Sequence, residues 1–106
     1  MNASDPGTMT WVTPAEMGKL LATRAANLRL LKGWKRSTLA ERAGVSAASL
    51  KRFETTGRVS LESLLRIAHA LARLEEFDQL LRPPAAQTLR ELERRAGPGV
   101  RKRGRL

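Results

Sequence analysis

Thr13, Ser46 and Ser60 each stand just ahead of a stretch in which apolar residues recur at three- and four-residue steps, and these stretches give way at Gly33, Gly44, Gly57 and Pro83-Pro84. A side-chain oxygen ahead of such a stretch satisfies an amide that the first helical turn leaves unpaired, and glycine or proline then halts the helix. The chain is thereby cut into short helices. Its 106 residues allow one domain of ordinary size, and an apolar fraction of 42% is enough for a packed core. Two Phe, two Trp and no Tyr leave little material for an aromatic-rich β-sandwich, so an all-α fold is expected.

Residues 1–12 are small, polar and broken by Pro6-Gly7, and read as a disordered leader to a domain over 13–82. Thr13-Pro14-Ala15-Glu16 forms a capping box with proline at the tolerant first helical position. The first helix is predicted over 14–32, with Met17, Leu20, Leu21, Ala25, Leu28 and Leu31 as its apolar stripe and Lys19, Arg24, Arg29 and Lys32 largely outside it. A second helix is predicted over 36–43, burying Leu39, Ala40 and Ala43 and ending at Gly44, where a left-handed residue costs least. Ser46 caps a third over 47–55, with Leu50 and Phe53 inward. Ser60 opens a fourth over 61–72, with Leu61, Leu64, Leu65, Ala68 and Leu71 inward, and a fifth is predicted over 74–81. Residues 83–106 read as a linker and basic tail, in which Leu89 and Leu92 offer a thin apolar face for one more helical turn or two.

The absence of Cys excludes disulfide scaffolds, Cys-ligated zinc and thiol nucleophiles, and one histidine, His69, has no second His to share a metal. No metal site, catalytic residue or cofactor is expected. Glu75, Glu76 and Asp78 cluster, but a solvated helix face is the default for such a run. Trp11 and Trp34 bracket the first helix and are expected to cover core edges. No uncharged apolar stretch approaches the about 20 residues that cross a bilayer, and the first eighteen residues carry no Lys or Arg, so a cytoplasmic protein with no membrane partner is the default.

The charge of +10 is local. Residues 19–54 hold nine basic and two acidic residues and residues 97–106 hold four cations, around a near-neutral middle. That is an electrostatic footprint for a polyanion, since neutralised phosphates release counterions. Two short helices joined by an Ala-Gly-Val-Ser turn match the helix-turn-helix of major-groove readers, in which the leading edge of the second helix has to be slim to approach the bases. Ala47, Ala48 and Ser49 are slim. Ala47 and Ala48 are expected on thymine methyls, Lys51 and Arg52 on guanine or phosphate, Thr55 at the groove edge, and Ser46 both as cap and as phosphate donor. The competing role for Arg52 is an ion pair to an acid such as Glu41 or one on the Glu54 helix, and Glu54 is expected to brace the fold. Leu74, Phe77, Leu80 and Leu81 are more apolar than one last helix needs, which points to a homodimer interface.

At this point the chain resembles the Xre or lambda-repressor-like helix-turn-helix family, through Leu39-Ala40-Glu41-Arg42-Ala43-Gly44-Val45-Ser46, then Leu50, Arg52, Phe53-Glu54 and Gly57, then Ser60 through Ala68. The resemblance spans about 14–82 and implies a five-helix fold, double-stranded operator DNA bound as a two-fold dimer, and regulation of transcription. Arg36 stands where the family commonly has Gln, and Lys35 where it often has a Ser or Thr cap; both are expected to bind DNA, Arg36 through phosphate. Residues 53–62, the run Leu80-Leu81-Arg82-Pro83-Pro84 and the Arg-Lys-Arg-Gly-Arg ending look like HipB-type antitoxins. That likeness implies a repressor of its own operon with a HipA-type kinase toxin as partner. Two other classes stay open: a binder without sequence preference, driven by Arg101, Lys102, Arg103 and Arg105 of the tail, and a module that binds protein alone.

Overall fold

Thr13 Oγ1 accepts the amide of Glu16 (3.1 Å) while Glu16 Oε1 accepts the amide of Thr13 (3.0 Å), so the predicted capping box starts helix α1, Pro14–Leu31. The structure is a computed structural model that describes residues 12–96; the side chains of residues 86–88 are outside that description. Residues 1–11 of the predicted leader, Trp11 among them, and residues 97–106 of the basic tail lie outside the described residues. Then come α2 (Arg36–Ala43), α3 (Ala47–Thr56), α4 (Leu61–Ala70), a 3-10 helix (Leu74–Gln79) and α5 (Ala85–Arg95), with no strand among the described residues. The protein is all-α.

Helix α1 packs on α3, and α2 packs on both α3 and α4. Leu39 of α2, Leu50 and Phe53 of α3 and Ile67 of α4 are fully buried at the centre. Leu39, Ala40 and Ala43 are buried on α2, as its spacing predicts. Two helices approach unusually closely: Gly18 of α1 faces Gly57, which follows α3, and a Cβ added at Gly18 would lie 2.7 Å from the Gly57 carbonyl oxygen.

The stripe on α1 needs correction. Leu31 is 83% exposed and Met17 lies at the rim, whereas Ala22 and Arg29, outside the expected stripe, are buried along with Ala25 from it. Arg29, expected outside the stripe, faces inward because an acid from α3 meets it there. On α4 Leu61 is exposed and Ile67 is buried in its place. The same helix stops two residues short of the predicted end: Ala72 adopts φ +62° while the Ala72 amide donates to His69 O and the Arg73 amide to Ala68 O. This is the reversal usually made with glycine, here with alanine at the left-handed position.

The segment predicted as a fifth α-helix over 74–81 is a 3-10 helix with no buried residue. It lies between two left-handed residues, Ala72 and Leu81 (φ +61°), buries no residue and has no side-chain cap, so the packing that stabilises an amphipathic α-helix is lacking, and it closes with an i to i+3 bond from Leu80 N–H to Phe77 O. Phe77 is half-buried in a small cleft lined by Leu21, Leu28, Leu64 and Ile67. Beyond Pro84 the chain makes a longer helix than the turn or two expected, and α5 leaves Leu89 and Leu92 exposed.

Candidate nucleic-acid interface

Gly44 closes α2 with φ +72°, so the turn between α2 and α3 is left-handed, and Gly44 is exposed apart from the Arg66 guanidinium, a nitrogen of which would lie 3.2 Å from a Cβ there. Val45 packs against the core and Ser46 Oγ accepts the Ser49 amide (3.0 Å), which sets the start of α3. Leu50 and Phe53, at most 1% exposed, anchor the inner side of the helix. Ala47, Ala48, Lys51, Arg52 and Thr55 are consequently exposed together on its other side, with Ser49 half-buried between the two.

Behind this surface lies an ion network. Glu54, its side chain 2% exposed, accepts from Arg29 Nε at Oε2 (2.8 Å) and from Arg29 Nη2 at Oε1 (3.0 Å). Oε1 also accepts from Arg36 Nε (2.7 Å), and Arg29 Nη1 donates to the Trp34 carbonyl (2.9 Å). Burial alone would raise the Glu54 carboxyl, but the hydrogen bonds and charges of Arg29 and Arg36 outweigh it and hold the group below the usual carboxylate range. The acid that sequence placed as a brace thus ties α3 to α1 and to the start of α2. Trp34 is half-buried at the core edge, with the Arg42 guanidinium 4.6 Å and the Lys32 ammonium 5.3 Å from its ring centroid.

Compared with known sequences, residues 26–77 match the family described as Helix-turn-helix. The chain carries an Xre/lambda-repressor-like helix-turn-helix domain. A search of curated proteins returns no match. The family is one of DNA-binding transcription regulators and not an enzyme family. No helix among the described residues is long and apolar enough to cross a membrane.

Within the helix-turn-helix, α3 occupies the place of the recognition helix. Neither Glu41 nor Glu54 takes Arg52, whose guanidinium has no partner among the described residues. Thr55 Oγ1 donates back to the Lys51 carbonyl (2.8 Å), which leaves the hydroxyl oxygen as an acceptor at the helix surface. Lys35 is the N-cap of α2 without a side-chain capping bond. Arg36, expected on phosphate, is drawn partly inward to Glu54 while remaining 41% exposed.

Arg58 is a residue the sequence reading passed over. With Ser49, Arg52, Val59 and Ser60 it lines a hollow of about 390 Å3 beside the recognition helix. The available signal was a cation directly after Gly57, where the chain leaves α3 on the same side as Arg52. Elsewhere the acids behave as solvated pairs: Glu76 meets Arg73 and Asp78 meets Arg82, both at 2.7 Å and largely exposed. His69 is exposed, and no group of three potential ligands is assembled among the described residues.

Proposed function

We propose that this protein is a sequence-specific transcriptional repressor that binds a two-fold operator as a homodimer. The observation that carries the reading is the outer side of α3, where slim Ala47 and Ala48 lead and Lys51 and Arg52, unpaired among the described residues, follow. A slim leading edge permits close approach to the major groove, and a free guanidinium is suited to a guanine edge. Leu80 and Leu81, 60% and 100% exposed, join Leu74 and half-buried Phe77 as the surface for the second copy. In this reading residues 13–82 form the domain, 1–12 a leader and 83–106 a linker and tail. Arg101, Lys102, Arg103 and Arg105 add contacts to phosphate that are blind to sequence.

The test is selection of bound sites from a random duplex pool at near-physiological salt, wild type against Arg52→Ala. The expected result is a symmetric consensus with half-sites about 34–36 Å apart, degenerate at one position in the variant. Recovery of no consensus, with binding that vanishes as salt rises, refutes base reading by α3 and favours a tail-driven binder. The narrower form of the proposal is an antitoxin for a HipA-type kinase, supported by the likeness of residues 53–62 and 80–84. A co-encoded kinase of that type that neither co-elutes with the chain nor is neutralised by it refutes this form.

A further inference from the structure

Arg29 and Glu54 satisfy one another almost completely. All three guanidinium nitrogens of Arg29 are used, two on Glu54 and one on the Trp34 carbonyl, and the pair is closed off from solvent. Arg36 is therefore a surplus cation in the cluster. It spends only Nε, on Glu54 Oε1 at 2.7 Å, and keeps its Nη atoms without a partner among the described residues. A guanidinium is a planar fork, so fixing one nitrogen on a buried carboxylate fixes the direction of the rest. Four-tenths of the Arg36 side chain is exposed at the start of α2, next to exposed Lys35.

We propose that Glu54 is a positioning residue for DNA backbone binding, holding Arg36 by Nε so that the outer edge of its guanidinium is aimed at a phosphate of the duplex. This rests on the DNA-binding reading above. An arginine side chain left to itself samples many rotamers and loses that freedom on binding. Arg36 has lost much of it already. The carboxylate itself does not oppose the polyanion, because Arg29 neutralises it from the inner side. Glu54 thus acts on DNA through Arg36, 18 positions away in the chain, and in addition to its part in fixing α3 on α1.

The test measures dissociation constants for an operator duplex across a salt series, using the full chain as wild type, Arg36→Gln, Arg36→Lys, Glu54→Gln and the double variant Arg36→Gln/Glu54→Gln. Arg36→Gln is expected to lower the slope of log K against log salt by about 0.9, the signature of one fewer neutralised phosphate. Glu54→Gln is expected to weaken binding about tenfold in the wild-type background and much less once Arg36 is gone, which is the coupling expected of two residues that touch. An unchanged slope for Arg36→Gln, or equal effects of Glu54→Gln in both backgrounds, overturns the proposal. Should Glu54→Gln fail to fold, Arg36→Lys decides, since it leaves the Arg29–Glu54 pair intact. A lysine keeps the charge but offers a compact ammonium on a flexible stem rather than a planar fork whose direction the carboxylate sets. Its salt slope therefore stays near wild type while its affinity falls toward that of Arg36→Gln, and wild-type affinity for it overturns the proposal. Wild-type protein that selects sites while these variants show no coupling refutes this inference alone, whereas wild type that binds no duplex refutes the DNA reading beneath it.

Discussion

Gly18 sits in the middle of α1, where alanine is the better helix former by about 1 kcal/mol. On helix propensity alone, Gly18→Ala is a stabilising change. Packing reverses the sign: the new Cβ would lie 2.7 Å from the Gly57 carbonyl oxygen and 3.5 Å from its carbon, closer than real carbon–oxygen contacts come. The obstacle is backbone, and Gly57 is itself held at φ +81° as the cap of α3, so neither side yields as a side-chain tip would. Overpacking of this kind costs about 1–3 kcal/mol. Set against the gain in propensity, the expected net loss is about 1 kcal/mol, or about 4–8 °C in melting temperature for a domain of this size. Urea and thermal denaturation followed by circular dichroism measure it directly. Thr23→Ala, at an exposed position of the same helix, is the internal control and is expected to stabilise by about 0.5 kcal/mol. If Gly18→Ala proves as stable as wild type or more so, the close α1–α3 approach is refuted.

Four further outcomes follow from the same geometry. Arg29→Ala strips Glu54 of its bidentate partner in a nearly solvent-free setting and is expected to cost about 3 kcal/mol in urea unfolding; a change within the error of the midpoint refutes the brace. Because the Glu54 carboxyl is lowered in the folded state, its contribution is fully present above the unfolded glutamate pKa of about 4.3 and is lost as pH falls through the folded value. Glu54→Gln should therefore flatten the acid limb of the stability profile, and an identical acid limb counts against the shift. Ser46→Ala removes the cap at the start of α3 and is expected to cost about 1 kcal/mol with weakened DNA binding, while Leu80→Glu with Leu81→Glu should leave stability unchanged and abolish self-association by sedimentation equilibrium. Wild-type protein sedimenting as a monomer at high micromolar concentration removes the proposed dimer surface.

Local signals were legible to the residue. The bounds of α2, the left-handed turn at Gly44, and the caps Thr13, Ser46 and Ser60 all agree with expectations drawn from spacing, because each depends on groups within four positions in the chain. The failures share a cause. Arg29 reads as a solvated cation until its acid, 25 positions later, is brought to it. Gly18 has no local reason to be glycine; its reason is the backbone of Gly57. Ala72 ends α4 by the reversal glycine usually makes, so no residue type marks the stop, and the segment after it buries no residue, which its apolar spacing does not reveal.

The same distinction applies to charge. A tally along the sequence subtracts Glu54 from the basic segment over 19–54, as if a polyanion met every formal charge equally. In the folded protein Glu54 is buried and neutralised from behind by Arg29, while Lys51, Arg52 and Arg58 stay exposed near one another and Arg36 is partly so. Burial thus takes Glu54 and Arg29 out of the surface together, as a neutral pair, and leaves the other cations of the segment at least partly exposed. The segment's +7 is unchanged by removing that pair, but a phosphate backbone meets it as exposed cations, with Glu54 held behind them rather than at the surface. Substituting the exposed cations should therefore lower the salt slope one phosphate at a time, whereas Glu54→Gln, which removes a formal negative charge, should weaken DNA binding. Simple charge counting predicts the opposite sign for Glu54, and that contrast separates a carboxylate that positions its neighbours from one that merely repels the duplex.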